Sequence, residues 1–204
     1  MKYLGDKEVF AVAYELKESP FSECGRNEPT WGVFKMWVDS KSVCTFSMND
    51  KKREYEWDLI YIVEWLYKNK NNIFNETQFP LPIEGKNSIE FYKSSGDFDS
   101  DDDDEFNLWF EKRQDWYFRH SWYSDNGGSF LADVFFRRVK NTIEIAWDNS
   151  DLYSELNFIN PKGIFYVQFE LFKEVINNFI EDFMLEVSKS VEGRDLIERL
   201  KETD

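Results

Sequence analysis

Acidic residues are concentrated between positions 97 and 105, and their spacing determines which chemistry they could support. The carboxylates of this segment belong to Asp97, Asp99, Asp101, Asp102, Asp103, Asp104 and Glu105. Their early spacing imitates the D-x-D-x-D opening of a calcium loop, which also requires a glycine at position six and a bidentate glutamate at position twelve. Those positions hold Asp102 and Leu108, so the pattern favours a solvated loop leading into a helix. We interpret this segment as a candidate contact for a basic protein partner.

His120 is the single histidine of the chain, which excludes a two-histidine zinc site and an H-E-x-x-H peptidase motif. It could act alone as an acid or base if the helix that it ends packs beside the following strand. Its candidate neighbours are then Arg119, Asp133, Arg137 and Arg138. A histidine at a helix end is more often a structural group that hydrogen-bonds to backbone or to an acid, and we predict that role.

Asp133 and Glu144 lie on adjacent predicted strands, as the Mg²⁺-binding carboxylates of a metal-dependent nuclease would. Such a site also uses a lysine two residues beyond the second acid, where this chain has Ala146. Because apolar residues alternate with Glu144, we expect its side chain on the solvated side of the strand, paired with Arg137 or Arg138. The sequence therefore predicts no catalytic residue, no bound metal and no cofactor.

Aromatic residues of the predicted helix at 105–120 could either stack on nucleic-acid bases or fill a core. Trp109 and Phe110 precede Trp116 and Tyr117 by seven residues, a spacing that puts each pair on one helical face. The surroundings are acidic, which opposes contact with nucleic acid. We therefore predict a core-facing stripe.

Bulk composition limits the classes of function. The 204 residues include 20 Phe, 10 Tyr and 8 Trp, enough to fill the core of a single domain. The formal charge of −15 and the pI near 4.6 oppose direct binding of nucleic acid and favour a basic partner. Cys24 and Cys44 are too few and too far apart for a disulfide framework or a zinc knuckle. We expect a cytoplasmic protein without a membrane segment, because the apolar runs are short and the first ten residues do not resemble a signal peptide.

Hydrophobic periodicity predicts the secondary structure. Alternating patterns predict strands at 8–17, 31–38, 42–47, 130–139, 142–147 and 163–169, with a hairpin between the second and third. Helical patterns predict helices at 54–70 and 105–120. Apolar residues recur every three or four positions from Phe172 to Val187, which predicts the clearest helix, and Gly193 is expected to break it.

These elements predict an α+β fold in which helices pack on an antiparallel sheet built from both halves of the chain. Residues 1–190 would form a single domain, followed by a short charged tail helix at 191–204. The helix at 172–187 should cross one face of the sheet with Ile176, Phe179 and Phe183 turned inward.

A further pattern of aromatic, Arg-His and Gly-Gly positions covers residues 116–147. It consists of W-Y-F-R-H at 116–120, Gly-Gly at 127–128, D-V-F-F-R-R at 133–138 and I-E-I-A-W at 143–147. This pattern resembles the N-terminal module that precedes ImmA/IrrE-type peptidase domains in bacterial defence and mobile-element proteins. The positions carrying the resemblance are Trp116, Arg119, His120, Arg137 and Trp147. The peptidase part is absent, so the resemblance implies a recognition or regulatory module in a bacterial or phage conflict system and assigns no catalytic residue.

Three functional hypotheses follow. The favoured one is a non-enzymatic acidic protein, such as an antitoxin, an immunity protein or a defence-complex subunit, that acts through protein–protein contacts. The first alternative is a DNA mimic that inhibits a nuclease or DNA-binding protein; its acids should form a stripe, whereas here they are concentrated and basic residues intervene at 51–53. The second alternative is an enzyme with an unrecognised carboxylate site.

Overall fold

The protein is described by a computed structural model that covers residues 1–21, 29–125 and 129–202. In chain order its strands are β1 (Lys2–Asp6), β2 (Phe10–Leu16), β3 (Trp31–Val38), β4 (Lys41–Ser42), β5 (Phe46–Met48), β6 (Lys51–Arg53), β7 (Tyr55–Asp58), β8 (Phe135–Val139), β9 (Thr142–Asp148), β10 (Asn157–Phe158) and β11 (Lys162–Gln168). Its α-helices are α1 (Ile60–Asn75), α2 (Ser88–Ser94), α3 (Asp103–His120), α4 (Phe169–Val187) and α5 (Val191–Glu202). Every strand pair is antiparallel, so the predicted α+β class with packed helices is confirmed.

The N-terminal sheet has the order β1-β2-β3-β4, and β7 also pairs with β3. Asp39 and Ser40 connect β3 to β4 with positive φ angles of 52° and 62°, as a two-residue type I′ hairpin turn requires. Asn49 and Asp50 make the equivalent turn between β5 and β6. The predicted hairpin is therefore present, but the predicted strand at 42–47 is divided between β4 and β5, which lie in different sheets.

The predicted start of the first helix is wrong. Residues 55–58 form β7, where the buried Tyr55 alternates with the exposed Glu56 and the segment pairs with β3. Short strands and helix starts are hard to separate by periodicity when the next apolar residues follow at once, as Leu59 and Ile60 do here. α1 then continues five residues beyond the predicted end, to Asn75.

The C-terminal sheet has the order β11-β9-β8 and is separate from the N-terminal sheet. The predicted antiparallel sheet built from both halves of the chain is therefore not found in these two larger sheets. Among the described residues, a small sheet of order β10-β5-β6 does combine the two halves, through Phe158 opposite Phe46. Strand pairing between distant segments is set by tertiary packing, which the alternation of residues within each strand does not encode.

Helix α4 joins the two larger sheets. Ile176, Phe179 and Phe183 are buried, as predicted from their spacing. Near the start of α4, the Phe172 ring lies 4.9 Å from Phe10 of β2 and 5.6 Å from Phe136 of β8. One helix therefore fills the space between both sheets, and each buried phenylalanine contributes on the order of 2–3 kcal/mol of transfer free energy.

The C-terminal segment forms a helix that docks on the body. α4 ends at Val187, six residues before Gly193, so the expectation that this glycine breaks the helix is wrong. Gly193 lies inside α5, where an added Cβ would sit 2.0 Å from the Val187 carbonyl oxygen. The absence of a side chain thus permits close packing of the two helices, while Ile197 and Leu200 are buried.

Cys44 is buried in the main core and has no disulfide partner among the described residues. Burial raises the pKa of its thiol, so the neutral form persists at ordinary pH. Cys24 and the Gly127-Gly128 pair lie outside the described residues. Cys44 therefore acts as a small apolar core residue.

Candidate functional site

The acidic segment lies at the start of α3. Asp97 ends a short 3₁₀ helix, and Asp102 is the N-cap residue of α3, followed by Asp103, Asp104 and Glu105 in the first turn. The Asp102 carboxylate accepts hydrogen bonds from the backbone N–H groups of Asp104 (2.9 Å) and Glu105 (3.1 Å). These acids favour the helix because they lie at the positive end of its dipole.

The carboxylates of this acidic segment are exposed to solvent. All seven predicted partner-binding acids are exposed, and none of them belongs to an ion pair among the described residues. Their charge is therefore available to a partner. No group of three His, Cys, Asp or Glu side chains in the described ranges is arranged to hold a metal ion.

The first turns of α3 also expose apolar side chains. Phe106 and Leu108 have 37% and 51% of their surface exposed, directly after the acids. Trp109, which we predicted for the core, is half-buried: its ring stacks on Phe98 at 4.0 Å and its indole N–H donates to the Ser95 carbonyl (2.8 Å). These contacts attach one side of α3 to the rest of the protein, while the side chains of Phe106 and Leu108 stay exposed to solvent. We call residues 97–108 the acidic helix end.

The C-terminal half of α3 is the part that enters the core. Trp116 and Tyr117 are buried, as the predicted stripe requires, whereas Phe110 is only half-buried. Arg113 lies over the Tyr92 ring at 3.8 Å and ties the middle of α3 to α2. The helix is therefore anchored along its length while its first turns present charge and apolar surface together.

His120 is fully buried at the end of α3 and has two hydrogen-bonding partners. Its Nδ1 lies 2.7 Å from the Phe136 carbonyl oxygen, and its Nε2 lies 3.0 Å from the Glu76 carboxylate. Arg119 Nε also donates to Glu76, over 3.0 Å. The hydrogen bond from His120, followed by that from Arg119, lowers the pKa of Glu76. The structural role predicted for the histidine fits this geometry, but its acidic partner is Glu76 and not the proposed Asp133.

Glu144 is completely buried, so the expectation of a solvated side chain is wrong. Its carboxylate does pair with Arg137, as predicted, with 3.0 Å between Nη2 and Oε2. It also accepts hydrogen bonds from the Ser88 backbone N–H (2.8 Å), the Ser88 hydroxyl (2.6 Å) and the Tyr166 hydroxyl (3.0 Å). Helix α2 covers this face of the sheet, which explains the burial.

Asp133 precedes β8 and belongs to a different set of contacts. Its carboxylate accepts hydrogen bonds from the hydroxyl groups of Ser121 and Tyr117. Burial raises its pKa to about 6. Glu144 bonds instead to Arg137, Ser88 and Tyr166, so the two carboxylates have separate sets of hydrogen-bonding partners among the described residues.

The residues that carry the family resemblance divide into two groups. Trp116, Arg119 and His120 cluster at the end of α3, where the Trp116 ring stacks on His120 at 4.7 Å. Trp116 Nε1 is buried without a hydrogen-bond partner in the described ranges. Arg137 and Trp147 lie in the C-terminal sheet, and the Trp147 indole N–H donates to the Asn160 carbonyl (2.9 Å). Both groups contribute to internal packing.

Sequence reasoning missed two residues that determine these contacts, Glu76 and Ser88. Glu76 directly follows α1, and no local pattern distinguishes it from other surface acids. Ser88 begins α2, whose N-cap residue Asn87 accepts a hydrogen bond from the Glu90 N–H (3.0 Å). The N-x-x-E spacing of a capping box was the signal that could have located this helix.

Comparison of the chain with protein-family models, curated proteins and solved structures finds no match. The resemblance of residues 116–147 to the module preceding ImmA/IrrE-type peptidase domains therefore remains a prediction. Among the described residues, none of the helices combines the length and apolar character needed to cross a bilayer.

Proposed function

We propose that this chain is a non-enzymatic binding or regulatory protein that holds a basic protein partner at the acidic helix end. The observation that carries this proposal is the exposure of seven carboxylates, none in an ion pair among the described residues, beside the exposed side chains of Phe106 and Leu108. The carboxylates attract a basic surface at long range and so raise the association rate. The adjacent apolar side chains supply contact area that excludes water.

The anchoring of α3 also favours binding. Trp109 and Arg113 attach the helix to the segment at 92–98, so its exposed side is already ordered before a partner arrives. Preorganisation reduces the entropy lost on association. The concentration of acids at one helix end fits a compact basic patch better than the long phosphate track that a DNA mimic would replace.

The biological setting of this role is inferred from the family resemblance. A recognition or regulatory module in a bacterial or phage conflict system would act as an antitoxin, an immunity protein or a subunit of a defence complex. Each of these roles requires a specific protein contact and no chemistry from this chain. We propose the cytoplasm as the site of that contact.

The test compares two variants with the same change in net charge. The first replaces Asp101, Asp102, Asp103 and Asp104 with Asn, which preserves the capping ability of residue 102. The matched control replaces Glu170, Glu174, Glu181 and Glu198 with Gln; these are exposed acids without an ion pair in the described structure. Circular dichroism should show both variants folded.

The measured quantity is the association rate with the partner recovered by cross-linking from native lysate. We expect at least a tenfold slower association for the Asn variant at low salt. The difference from the wild type should be smaller at high salt, because dissolved ions screen the long-range attraction that speeds association. The control should differ little from the wild type. Equal association rates for the Asn variant and the wild type would refute the proposal.

A further inference from the structure

Strand β11 is an edge strand of the C-terminal sheet. It pairs with β9 along all seven of its residues, from Lys162 opposite Asp148 to Gln168 opposite Thr142. No described residue pairs with its other edge. A long unpaired edge is a template for a further strand.

The register identifies the backbone groups on this edge. Just beyond the two ends of the ladder, the Phe169 N–H donates to the Asn141 carbonyl (3.1 Å) and the Asn149 N–H donates to the Pro161 carbonyl (2.6 Å). Hydrogen-bonded and non-hydrogen-bonded pairs alternate along an antiparallel ladder. The odd-numbered residues of β11 therefore bond to β9, and the even-numbered residues direct their N–H and C=O groups to the free edge, except that the C=O of Gln168, the N-cap residue of α4, is used by that helix. These residues are Lys162, Ile164, Tyr166 and Gln168.

The side chains of these same residues are open to solvent. Ile164 and Tyr166 have 46% and 45% of their surface exposed, and Lys162 and Gln168 are also exposed. Natural edge strands are commonly protected by charges, prolines, bulges or short length. The single charged residue of β11 is Lys162, at one end, and the strand carries no acidic side chain.

The sequence of the strand is complementary to itself. If two copies pair antiparallel about Phe165, Lys162 lies opposite Gln168 and Ile164 lies opposite Tyr166. The backbone groups of these residues point outward, so each Ile164–Tyr166 pair can exchange two hydrogen bonds. Each Lys162–Gln168 pair can form one, from the Gln168 N–H to the Lys162 C=O. No like charges oppose each other, and each Ile–Tyr pair joins a β-branched residue to an aromatic one, a favourable cross-strand combination.

We propose that β11 pairs with β11 of a second copy of this chain, forming a two-fold symmetric dimer with a continuous six-stranded sheet. The partner is a second copy because this register gives each of the four outward residues a hydrogen bond across the seam and keeps both lysines away from each other. The net charge of −15 opposes the approach of two copies at long range. Added salt should therefore strengthen this dimer, whereas salt weakens binding of a basic partner at the acidic helix end.

Sedimentation across a concentration series tests the dimer, with the full chain at physiological salt. The wild type should shift from 24.6 kDa toward twice that mass as concentration rises. Ile164→Pro removes one outward N–H that β9 does not use, and edge strands tolerate proline at such positions. We expect this variant to stay monomeric, and Ile164→Thr, which keeps the N–H and the β-branch, to dimerise.

Hydrogen exchange of the wild type gives a readout that needs no variant. The amides of Ile164, Tyr166 and Gln168 should exchange at least tenfold more slowly at high than at low concentration. Those of Phe165 and Val167, bonded to β9, should be protected at both. A monomeric wild type, a dimer that persists in Ile164→Pro, or unchanged exchange at Ile164 and Tyr166 would each overturn the proposal. These outcomes test the dimer alone, and the proposed binding of a basic partner at the acidic helix end is tested separately.

Discussion

His120 Nε2 and Glu76 Oε2 are 3.0 Å apart, and this contact joins the end of α1 to the end of α3. The other ring nitrogen faces the Phe136 carbonyl, which can only accept a hydrogen bond. A carboxylate is also an acceptor, so both ring nitrogens of His120 face acceptor oxygens. His120 is therefore held between a carboxylate and a backbone carbonyl inside the protein.

Glu76→Ala should lower the free energy of unfolding by about 1–3 kcal/mol at pH 7, allowing for the partial exposure of the carboxylate. Its pKa is lowered in the folded state, so its stabilising effect is present above pH 4.5 and is lost as the pH falls through the folded value. Urea denaturation should therefore show a smaller difference between variant and wild type at pH 3. The control is Glu56, an exposed residue that forms an ion pair with Lys17. Glu56→Ala should lower the free energy of unfolding by less than about 1 kcal/mol. An equal difference at both pH values would contradict this assignment.

Asp133→Asn should change the pH dependence of stability between pH 4 and pH 6. The folded-state pKa of about 6 lies above the ordinary value of 3.8, so the folded protein holds this proton more tightly than the unfolded chain. Wild-type stability should consequently fall as the pH rises through this interval, by on the order of 1–2 kcal/mol from this group. Subtracting the curve of the variant, measured by urea denaturation, isolates the contribution of Asp133. A difference curve without slope would reject the raised pKa.

Glu144→Ala should destabilise the protein by about 3–5 kcal/mol, because it leaves the guanidinium of Arg137 buried without its carboxylate. The double variant Arg137→Met with Glu144→Leu should recover most of that loss, since both charges are removed together. Thermal and urea denaturation of Arg137→Met, Glu144→Leu and the double variant complete a double-mutant cycle. Additive losses would show that the two side chains are not coupled.

Phe179→Ala should cost about 3–5 kcal/mol, because the ring fills the core between α4 and the N-terminal sheet. Leu185→Ala on the same helix is the matched control, since 69% of Leu185 is exposed. The control should change stability by less than about 0.5 kcal/mol. Similar urea midpoints for the two variants would refute the packing assigned to α4.

Long periodic segments were predictable from the sequence. α4 extends over 19 residues, and its buried positions match the predicted face. The strands β3, β9 and β11 also lie where alternating or apolar runs predict them. In these segments the local pattern and the tertiary environment agree, which is the condition for a successful prediction.

Short elements were not predictable in the same way. α2 has only seven residues and buries one of them, so it shows no helical stripe. β1 has a mostly exposed and polar surface, and its pairing with β2 depends on backbone groups. Glu144 is buried because α2 covers it. The sequence pattern did not predict α2, and a solvated Glu144 side chain was therefore expected.

The position of Phe172 between Phe10 and Phe136 has a consequence for cooperativity. One ring completes the interior of both larger sheets, so neither half of the chain contains a full set of packing partners. A cut in the connection at 149–156 would leave β8 and β9 on one fragment and α4 on the other. Such fragments should regain structure only when mixed, because each lacks core packing partners that the other supplies.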